Sequence, residues 1–323
     1  MKRSFLPCSF KSFAKLNLYL QVLKKRKDNF HNLNTLFVRI GLADTLFFKE
    51  RRDGRIKVKC DRRDLSAGKT NLCYRAAELL KKNFCPDRGI EIRLNKRIPI
   101  GAGLGGGSSD AAGVLLALNK AWQLGLSTQK LAELGAKLGS DVPFFIYQAK
   151  FALGKGKGDR IEPLQRLGNI KLWFILVYPG FKVSTPRIYR ELDFFRASGG
   201  FAAGKSPSGG REKISKIAAI KQDPWLTRPA HNVKMLISRL PNKGKAVNPR
   251  LLFNSLEIIT GHLYPEVVQV KNVLSGMGLD KVMMSGSGPA VFAICDSCRQ
   301  ARNLKSKLHK KYKSWQIFAV PAV

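Results

Sequence analysis

The sequence predicts a protein of two domains, each built from both strands and helices. Its length of 323 residues exceeds that of most single domains and favours about two. Segments with apolar residues at every second position are interspersed with segments of helical periodicity. A hydrophobic content of 44% supplies apolar side chains for two ordinary cores. These observations exclude a disulfide-stabilised miniprotein, a fibrous repeat and a largely disordered chain.

The predicted first domain opens with a strand over residues 13–23, in which apolar side chains alternate with polar ones. The alternation places Lys15 and Asn17 on the same face of this strand. The pattern predicts further strands at 36–50, 55–60 and 89–94 and a helix at 71–83. This regular pattern breaks at Pro99.

The segment from Pro99 to Ser109 contains five glycines and leads directly into a predicted helix over 110–123. Without side chains, successive backbone N–H groups can converge on an anion, and the helix N-terminus adds its unpaired N–H groups and positive dipole end. The hydroxyls of Ser108 and Ser109 are further donors for phosphate or ligands for a metal ion. The segment predicts a phosphate-binding loop; the alternative is a flexible turn between strand and helix.

Two common nucleotide motifs fit this chain poorly. The Gly-Lys-Thr at 68–70 has Arg63 where a Walker loop requires its first glycine. Gly101, Gly103 and Gly106 match the spacing of a dinucleotide fingerprint, but the strand-helix-strand context and the ribose-binding acid are missing. Phosphoryl transfer therefore fits better than hydride transfer.

Asp141 and Lys15 are the candidate catalytic residues. A predicted helix over 127–138 ends at Gly139, and Pro143 is expected to force Val142 into an extended conformation, which places Asp141 in an irregular turn. A carboxylate can take the proton of an attacking alcohol while a nearby ammonium stabilises developing charge. For each residue alone, a solvent-exposed charge is the alternative interpretation.

The pattern of elements changes near residues 160–170, and we predict domains over 1–165 and 166–323. The second domain is predicted to contain strands at 171–177, 281–284 and 290–295 and helices near 231–240, 265–275 and 300–312. Residues 196–213 are rich in Gly, Ser and Lys, which predicts a flexible insertion.

The charge is unusual, with 58 Lys and Arg against 22 Asp and Glu and a net charge of +36. Such an excess attracts polyanions, but the basic residues are spread along the chain, and we expect phosphorylated substrates and no nucleic-acid partner. Six cysteines without regular spacing indicate a reduced, cytoplasmic protein, and Cys295 and Cys298 lack the further ligands of a zinc site. No apolar run is long enough to span a membrane.

Three blocks of the sequence, at 13–18, 99–112 and 285–292, resemble the GHMP kinases in content, order and separation. The segments 28–31 and 139–143 are similar to the branch of the family that phosphorylates a cytidine diphosphate methylerythritol. The resemblance covers nearly the whole chain. It implies an α+β fold of two domains, an N-terminal ATP-binding domain with a left-handed crossover and a C-terminal ferredoxin-like domain, with the active site between them.

The resemblance also implies a reaction and a set of site residues. ATP with Mg²⁺ would phosphorylate the 2-hydroxyl of the cytidyl substrate, a small molecule, in the non-mevalonate route to isoprenoid precursors. Asp141 would be the base and Lys15 its cationic partner, with the Mg²⁺ ligands unassigned. The ATP-binding residues would be Asn71, Lys96, Pro99, Gly101, Gly103, Leu104, Gly105, Gly106, Gly107, Ser108 and Ser109. The substrate-binding residues would be Asn17, Phe30, His31, Tyr189 and Asp141.

Three departures from the family pattern accompany this resemblance. Phe13 replaces a proline before Ala-Lys, and Asn29-Phe30 replaces Gly-Tyr before the histidine, which retains a ring for stacking but loses its hydroxyl. The insertion at 196–213 and the high charge are the third. Another GHMP kinase, of the homoserine or mevalonate type, and a basic RNA-binding protein on a kinase fold are the alternatives. We expect a monomer or a homodimer.

Overall fold

The computed structural model describes residues 9–85, 87–197, 233–239, 251–280 and 282–323. Its strands are β1 (Phe10–Lys25), β2 (His31–Arg51), β3 (Ile56–Cys60), β4 (Gly89–Asn95), β5 (Phe151–Lys155), β6 (Arg160–Pro163), β7 (Trp173–Tyr178), β8 (Phe253–Asn254), β9 (Val282–Met284), β10 (Val291–Cys295) and β11 (Gln316–Pro321). Its helices are α1 (Leu72–Phe84), α2 (Gly106–Ala121), α3 (Thr128–Ala136), α4 (Val142–Ile146), α5 (Thr185–Ala197), α6 (Val233–Arg239), α7 (Glu257–Leu263), α8 (Pro265–Gly276) and α9 (Cys298–Lys311).

Seven strands form the first sheet, in which β3, β4, β2, β1 and β8 are successive neighbours. The long strand β2 pairs antiparallel with β1 on one side and with β4 and β5 on the other. The pair of β3 and β4 is parallel, so the chain crosses over through α1 between them. The strand β8 pairs parallel with β1 at Tyr19 and Leu20, so a segment from the second half of the chain completes this sheet.

The second sheet is antiparallel and has the order β11, β7, β10, β9. The helices α8 and α9 pack against this sheet, with Val267, Val270 and Leu274 of α8 and Ala301, Leu304 and Leu308 of α9 in one buried cluster with its strands. On α9 the remaining positions are largely Lys and Arg and lie exposed. No described helix combines the length and the apolar character that a membrane span requires.

A hydrophobic cluster joins the two sheets. Leu16 and Ile40 of the first sheet belong to the same buried cluster as Phe174 and Phe292 of the second. The C-terminal end of the chain adds backbone hydrogen bonds to this contact, because the Val323 N–H donates to the carbonyl of Arg39 at 3.0 Å. This continuous apolar contact holds the two sheets in a fixed relation, which the site between them requires.

The strand β1 differs from its prediction as a strand covered on one side. Leu16, Leu18 and Leu20 are buried, and so are Lys15 and Asn17, which share the opposite face as expected. The interpretation of Lys15 as a solvent-exposed charge is wrong, because only 4% of the residue is exposed. A period-two pattern identifies the strand, but the polar face of such a strand can line a cavity as well as a surface.

Several elements were absent from the sequence prediction. They are the strands β5, β6, β8 and β11 and the helices α4, α5 and α7. Residues 196 and 197, at the start of the predicted insertion, end helix α5, and the remainder of that insertion lies outside the described residues. The predicted domain boundary after residue 165 falls in the 3-10 turn Gln165–Leu167, between the strands β6 and β7.

Candidate active site

The glycine-rich segment forms a loop with left-handed backbone at every second position. Gly101, Gly103 and Gly105 have φ of 69°, 77° and 70°, a region in which residues with a side chain are strained. Between them, Ala102 and Leu104 are buried. Because the buried side chains anchor one side of the loop, its backbone is presented to the cavity on the other. The helix α2 begins at Gly106, earlier than the predicted start at residue 110.

A second loop, from the third family-like block, packs against this one. The Ser285 hydroxyl donates to the carbonyl of Gly103 at 3.2 Å, and the Ala290 N–H donates to the carbonyl of Ala102 at 3.2 Å. A Cβ atom at Gly103 would clash with the carbonyl oxygen of Ser285. Glycine is therefore needed at position 103 for two reasons: the backbone has a positive φ, and the backbone of the second loop approaches it closely.

A cavity of about 1060 Å³ lies beside these two loops. It brings together nearly all the residues predicted from the sequence: Lys15, Asn17, Phe30, His31, Asn71, Lys96, Pro99, Gly101, Gly103, Leu104, Gly105, Gly106, Gly107, Ser108, Asp141 and Tyr189. Ser109 does not line it; this residue is buried in the first turn of α2, where its N–H donates to the Gly105 carbonyl at 2.9 Å. The hydroxyl available at this helix end is that of Ser108.

Lys15 and Asp141 meet in this cavity although they are far apart in the chain. The Lys15 Nζ lies 3.5 Å from the Asp141 Oδ2, and it donates to the Asn17 Oδ1 at 2.6 Å. The backbone N–H of Lys15 donates to the carbonyl of Leu104 at 3.0 Å, which ties β1 to the glycine-rich loop. The Asn17 amide in turn donates to the Thr35 hydroxyl at 2.8 Å. The ammonium thus lies between the Asp141 carboxylate and the Asn17 amide oxygen, on a strand whose backbone is bonded to the glycine-rich loop.

The local structure around Asp141 differs from the sequence prediction. Val142 is not extended, as expected before a proline, but is the first residue of the short helix α4, with Asp141 immediately before it at φ −83° and ψ −13°. Proline is tolerated in the first turn of a helix because its missing N–H would have no partner there. The Asp141 side chain retains 32% exposure, so its carboxylate is accessible from the cavity.

Lys96 lines the cavity, but its ammonium is already held by protein groups. Its Nζ donates to Asp110 at 2.8 Å and also to Asp44, and all three side chains are buried. The second Asp110 oxygen, Oδ1, is buried and finds no hydrogen-bond partner among the described residues. The Asp44 Oδ1 accepts the backbone N–H groups of Arg97 and Ile98. This triad joins the segment before the glycine-rich loop to helix α2 beyond it.

Asn71 also has a structural role at the edge of the cavity. Its Oδ1 accepts the N–H of Cys73 at 2.8 Å and so caps α1, and its Nδ2 donates to the carbonyl of Ser66 at 2.7 Å. A capping asparagine satisfies one of the unpaired N–H groups at the start of a helix. The resemblance implied that Asn71 and Lys96 bind ATP; both lie on the cavity wall, with their polar groups engaged by other protein groups.

His31, Tyr189 and Phe30 lie at the other end of the cavity wall. The His31 ring stacks on Tyr189 with centroids 5.3 Å apart, and its Nε2 lies 2.6 Å from the Asp193 Oδ1. Burial raises the pKa of the Tyr189 hydroxyl, and the Asp141 carboxylate raises it further, so the hydroxyl keeps its proton. Phe30 is 51% exposed, with the Lys157 ammonium over its ring at 4.9 Å.

Sequence reasoning missed the polar residues that hold this cavity in shape. Asp44 and Asp193 lie outside the family-like blocks, and Asp110, although inside the block at 99–112, was assigned no role. Asn254 was also missed; its amide donates to the carbonyls of Met284 at 2.9 Å and Gly286 at 2.8 Å, and so positions the loop beside Lys15. No local pattern marked these residues, because their partners are distant in sequence.

The described residues contain no cluster of three or more His, Cys, Asp or Glu side chains that would hold a metal ion by itself. Mg²⁺ is commonly held by one or two protein groups together with substrate phosphates and water. The Ser108 hydroxyl, an oxygen donor on the cavity wall, fits that mode.

The fold and the site define a GHMP kinase. The family model for the GHMP kinases N terminal domain matches residues 71–149, and that for the GHMP kinases C terminal matches residues 238–314. A solved structure of mevalonate kinase has the same fold, with a TM-score of 0.65 at 16% identity over 97% of this chain and 98% of that chain. This likeness concerns the fold alone.

Comparison of whole sequences shows to which branch of the GHMP kinases the chain belongs. The 4-diphosphocytidyl-2-C-methyl-D-erythritol kinase of Moorella thermoacetica is 37% identical over 93% of this chain and 94% of its own length. That of Syntrophus aciditrophicus is 36% identical over 96% and 97%. A crystal structure of 4-(cytidine 5'-diphospho)-2C-methyl-D-erythritol kinase matches 97% of this chain and 98% of its own, with a TM-score of 0.72 and 31% identity. The chain belongs to the 4-diphosphocytidyl-2-C-methyl-D-erythritol kinase family, as its resemblance predicted.

Proposed function

We propose that this protein transfers the terminal phosphoryl group of ATP to the 2-hydroxyl of 4-diphosphocytidyl-2-C-methyl-D-erythritol. The observation that carries the proposal is the meeting of Lys15 and Asp141, 3.5 Å apart, in one cavity with the glycine-rich loop. The relatives that bear this activity in their names match the chain over more than nine-tenths of its length.

The phosphate-binding part of the reaction falls to the glycine-rich loop. Backbone N–H groups between Gly101 and Gly107, together with the start of α2, offer donors to the oxygens of a triphosphate. Mg²⁺ would supply charge neutralisation on the phosphates when it is bound with the nucleotide, with the Ser108 hydroxyl as the protein group that would hold it. Donors fixed before the substrate arrives need no reorganisation during the reaction.

The proton transfer falls to Asp141. Its carboxylate accepts the proton of the substrate hydroxyl as the bond from the hydroxyl oxygen to the γ-phosphorus of ATP forms. The bond between that phosphorus and the leaving group, ADP, breaks in the same step. The Lys15 ammonium lies beside Asp141 and Gly286, where it stabilises the negative charge that develops on the transferring group. Asn17 fixes the position of that ammonium and contributes a cavity wall next to the substrate.

The cytidyl end of the substrate is assigned to the wall formed by Phe30, His31 and Tyr189. Aromatic rings stack on a nucleobase, and an imidazole nitrogen can hydrogen-bond its edge. Lys25, Lys157 and Arg190 also line this end of the cavity. Cations at this position suit a diphosphate that joins the cytidine to the alcohol.

A coupled kinase assay tests the proposed function. With ATP and Mg²⁺, we expect turnover of the cytidyl diphosphate alcohol and little turnover of homoserine or mevalonate. Preference for either of those alcohols would reject the assignment within the GHMP kinases while leaving the kinase class intact. No turnover of any alcohol, together with RNA binding that weakens steeply with salt, would favour the RNA-binding alternative instead.

Replacement of His31 tests the cytidyl end separately. We expect His31→Ala to raise the KM for the cytidyl substrate while the KM for ATP stays close to its wild-type value, because His31 lies among the residues assigned to the base. Steady-state kinetics with each substrate varied in turn measures both constants. An equal rise in the two would show that His31 supports the fold of the site and does not select the base.

We propose that the protein acts in the cytoplasm as a monomer or a homodimer and that its activity needs no nucleic acid. The domain boundary after residue 165 is likewise a proposal. If the RNA-binding alternative is tested, the exposed Lys and Arg residues of α9 are the part of the described surface to examine first.

A further inference from the structure

Asp193, on helix α5, is an acidic residue on the cavity wall that the proposed reaction does not use. Its Oδ1 lies 2.6 Å from the Nε2 of His31, and its Oδ2 accepts from the Lys25 ammonium at 2.8 Å. Burial raises the pKa of Asp193, but the hydrogen bonds from Lys25 and His31 outweigh this, and the pKa lies below its usual value. The carboxyl is therefore ionised at neutral pH and can only accept hydrogen bonds.

An ionised carboxylate at this distance requires the proton of His31 to be on Nε2. A neutral imidazole has one donor and one acceptor nitrogen, so Nδ1 is left as the acceptor. The stacked ring of Tyr189, 5.3 Å from the His31 ring at an angle of 30°, restrains the imidazole plane. The tautomer and the orientation of His31 are thus both set by residues of α5.

We propose that Asp193 is a positioning residue that selects cytosine over uracil by leaving the Nδ1 of His31 as a hydrogen-bond acceptor. The inference rests on the proposed function, which assigns a cytidyl group to this wall. Cytosine carries an amino group, a donor, at the position where uracil carries a carbonyl oxygen, an acceptor. The Nδ1 lone pair accepts a hydrogen bond from the cytosine amino group. With uracil the same lone pair faces the lone pairs of the carbonyl oxygen, which leaves two buried acceptors without a partner.

The tautomer can be measured without any ligand or activity. The chain contains four histidines, and ¹⁵N NMR of the labelled protein distinguishes protonated from unprotonated ring nitrogens; a His31→Gln variant assigns the signals of His31. We expect the wild-type His31 to carry its proton on Nε2 and the Asp193→Ala variant to show a mixture of both tautomers. A proton on Nδ1 in the wild type, or an unchanged tautomer in the variant, would overturn the proposal.

The base preference is measured by calorimetric binding of cytidine diphosphate and uridine diphosphate. We expect Asp193→Ala to lower the ratio of the two affinities by about five- to tenfold, the worth of one net hydrogen bond, with ATP binding unchanged. Asp193→Asn, which keeps the shape of the side chain, should give a smaller drop, because its amide can accept or donate. It serves as the test should the alanine variant fail to fold.

Glu191→Gln is the matched control, because it removes one negative charge from the same helix. We expect it to keep the wild-type ratio. An equal loss of affinity for both diphosphates in the Asp193 variants would show that Asp193 has only a structural role. A wild-type protein that prefers cytidine diphosphate but does not phosphorylate the cytidyl alcohol would refute the proposed function and leave this inference standing.

Discussion

The Asp141→Asn variant is expected to turn over about 10²–10⁴-fold more slowly than the wild type while binding ATP almost as tightly. An amide has nearly the shape of a carboxylate, but it cannot take the proton of the attacking hydroxyl. The loss should therefore appear in kcat, because the affected interaction is made mainly in the transition state. The Lys15 ammonium, 3.5 Å away, keeps its hydrogen bond to Asn17 in this variant.

Single-turnover kinetics and equilibrium binding of ATP together check this expectation. The matched control is Asp87→Asn, in an exposed turn away from the cavity, which should behave like the wild type. Wild-type turnover by Asp141→Asn would remove this residue from the mechanism. A parallel loss of ATP affinity would indicate that Asp141 holds the metal-nucleotide complex instead of accepting the proton.

The secondary structure was predictable where periodicity was long and clear. The strand β1 and the helices α1, α2 and α9 lie close to their predicted positions, because each combines many regularly spaced apolar residues. The short strands β5 and β6 were missed, since four or five residues carry little periodic signal. The strand β8, of two residues, exists only because a distant segment of β1 offers it a partner.

The glycine-rich loop of the candidate site could be predicted from its motif, but the polar residues that hold the site in shape could not. The glycine spacing identified the loop, because positive φ at alternating positions demands glycine. The pairing of Lys15 with Asp141 depended on family resemblance, since no local pattern joins residues so far apart. Asp44 and Asp193 act through contacts made across the fold, and a single sequence shows such residues only as isolated charges.

Lys96 shows that a family resemblance does not by itself fix what a charged side chain contacts. The resemblance implied that Lys96 binds ATP, but its ammonium lies between the carboxylates of Asp44 and Asp110. Because the three charges are buried together, removing the cation would leave two carboxylates uncompensated. The triad links the segments on either side of the glycine-rich loop, so Lys96 supports the position of the loop through Asp44 and Asp110.

The Lys96→Met variant is expected to lose about 3–5 kcal/mol of unfolding free energy, because two buried carboxylates are left without their cation. In the wild type, burial raises the pKa of Asp110, Lys96 lowers it and Asp44 raises it. Removing Lys96 removes the lowering contribution, and the buried Asp110 Oδ1 already has no hydrogen-bond partner among the described residues. Urea denaturation monitored by circular dichroism measures the loss.

The pH dependence of that loss separates charge from packing. A carboxyl whose pKa is higher in the folded state than in the unfolded state binds more protons when folded, so it destabilises the fold progressively as pH rises through the folded pKa. The stability of Lys96→Met should therefore fall by more than that of the wild type as pH rises from the ordinary pKa of a carboxyl through the raised folded pKa of Asp110. A loss that is the same at every pH would mean that only packing was disturbed.

A double variant and a surface control complete the test. Lys96→Met with Asp110→Asn should recover part of the lost stability, because the remaining carboxylate, Asp44, still accepts the N–H groups of Arg97 and Ile98. Lys59→Met, which removes a half-exposed lysine paired with Glu91, should stay close to the wild type. If the double variant is no more stable than Lys96→Met, repulsion between the two carboxylates is not the cause of the loss, and the role assigned to the triad fails.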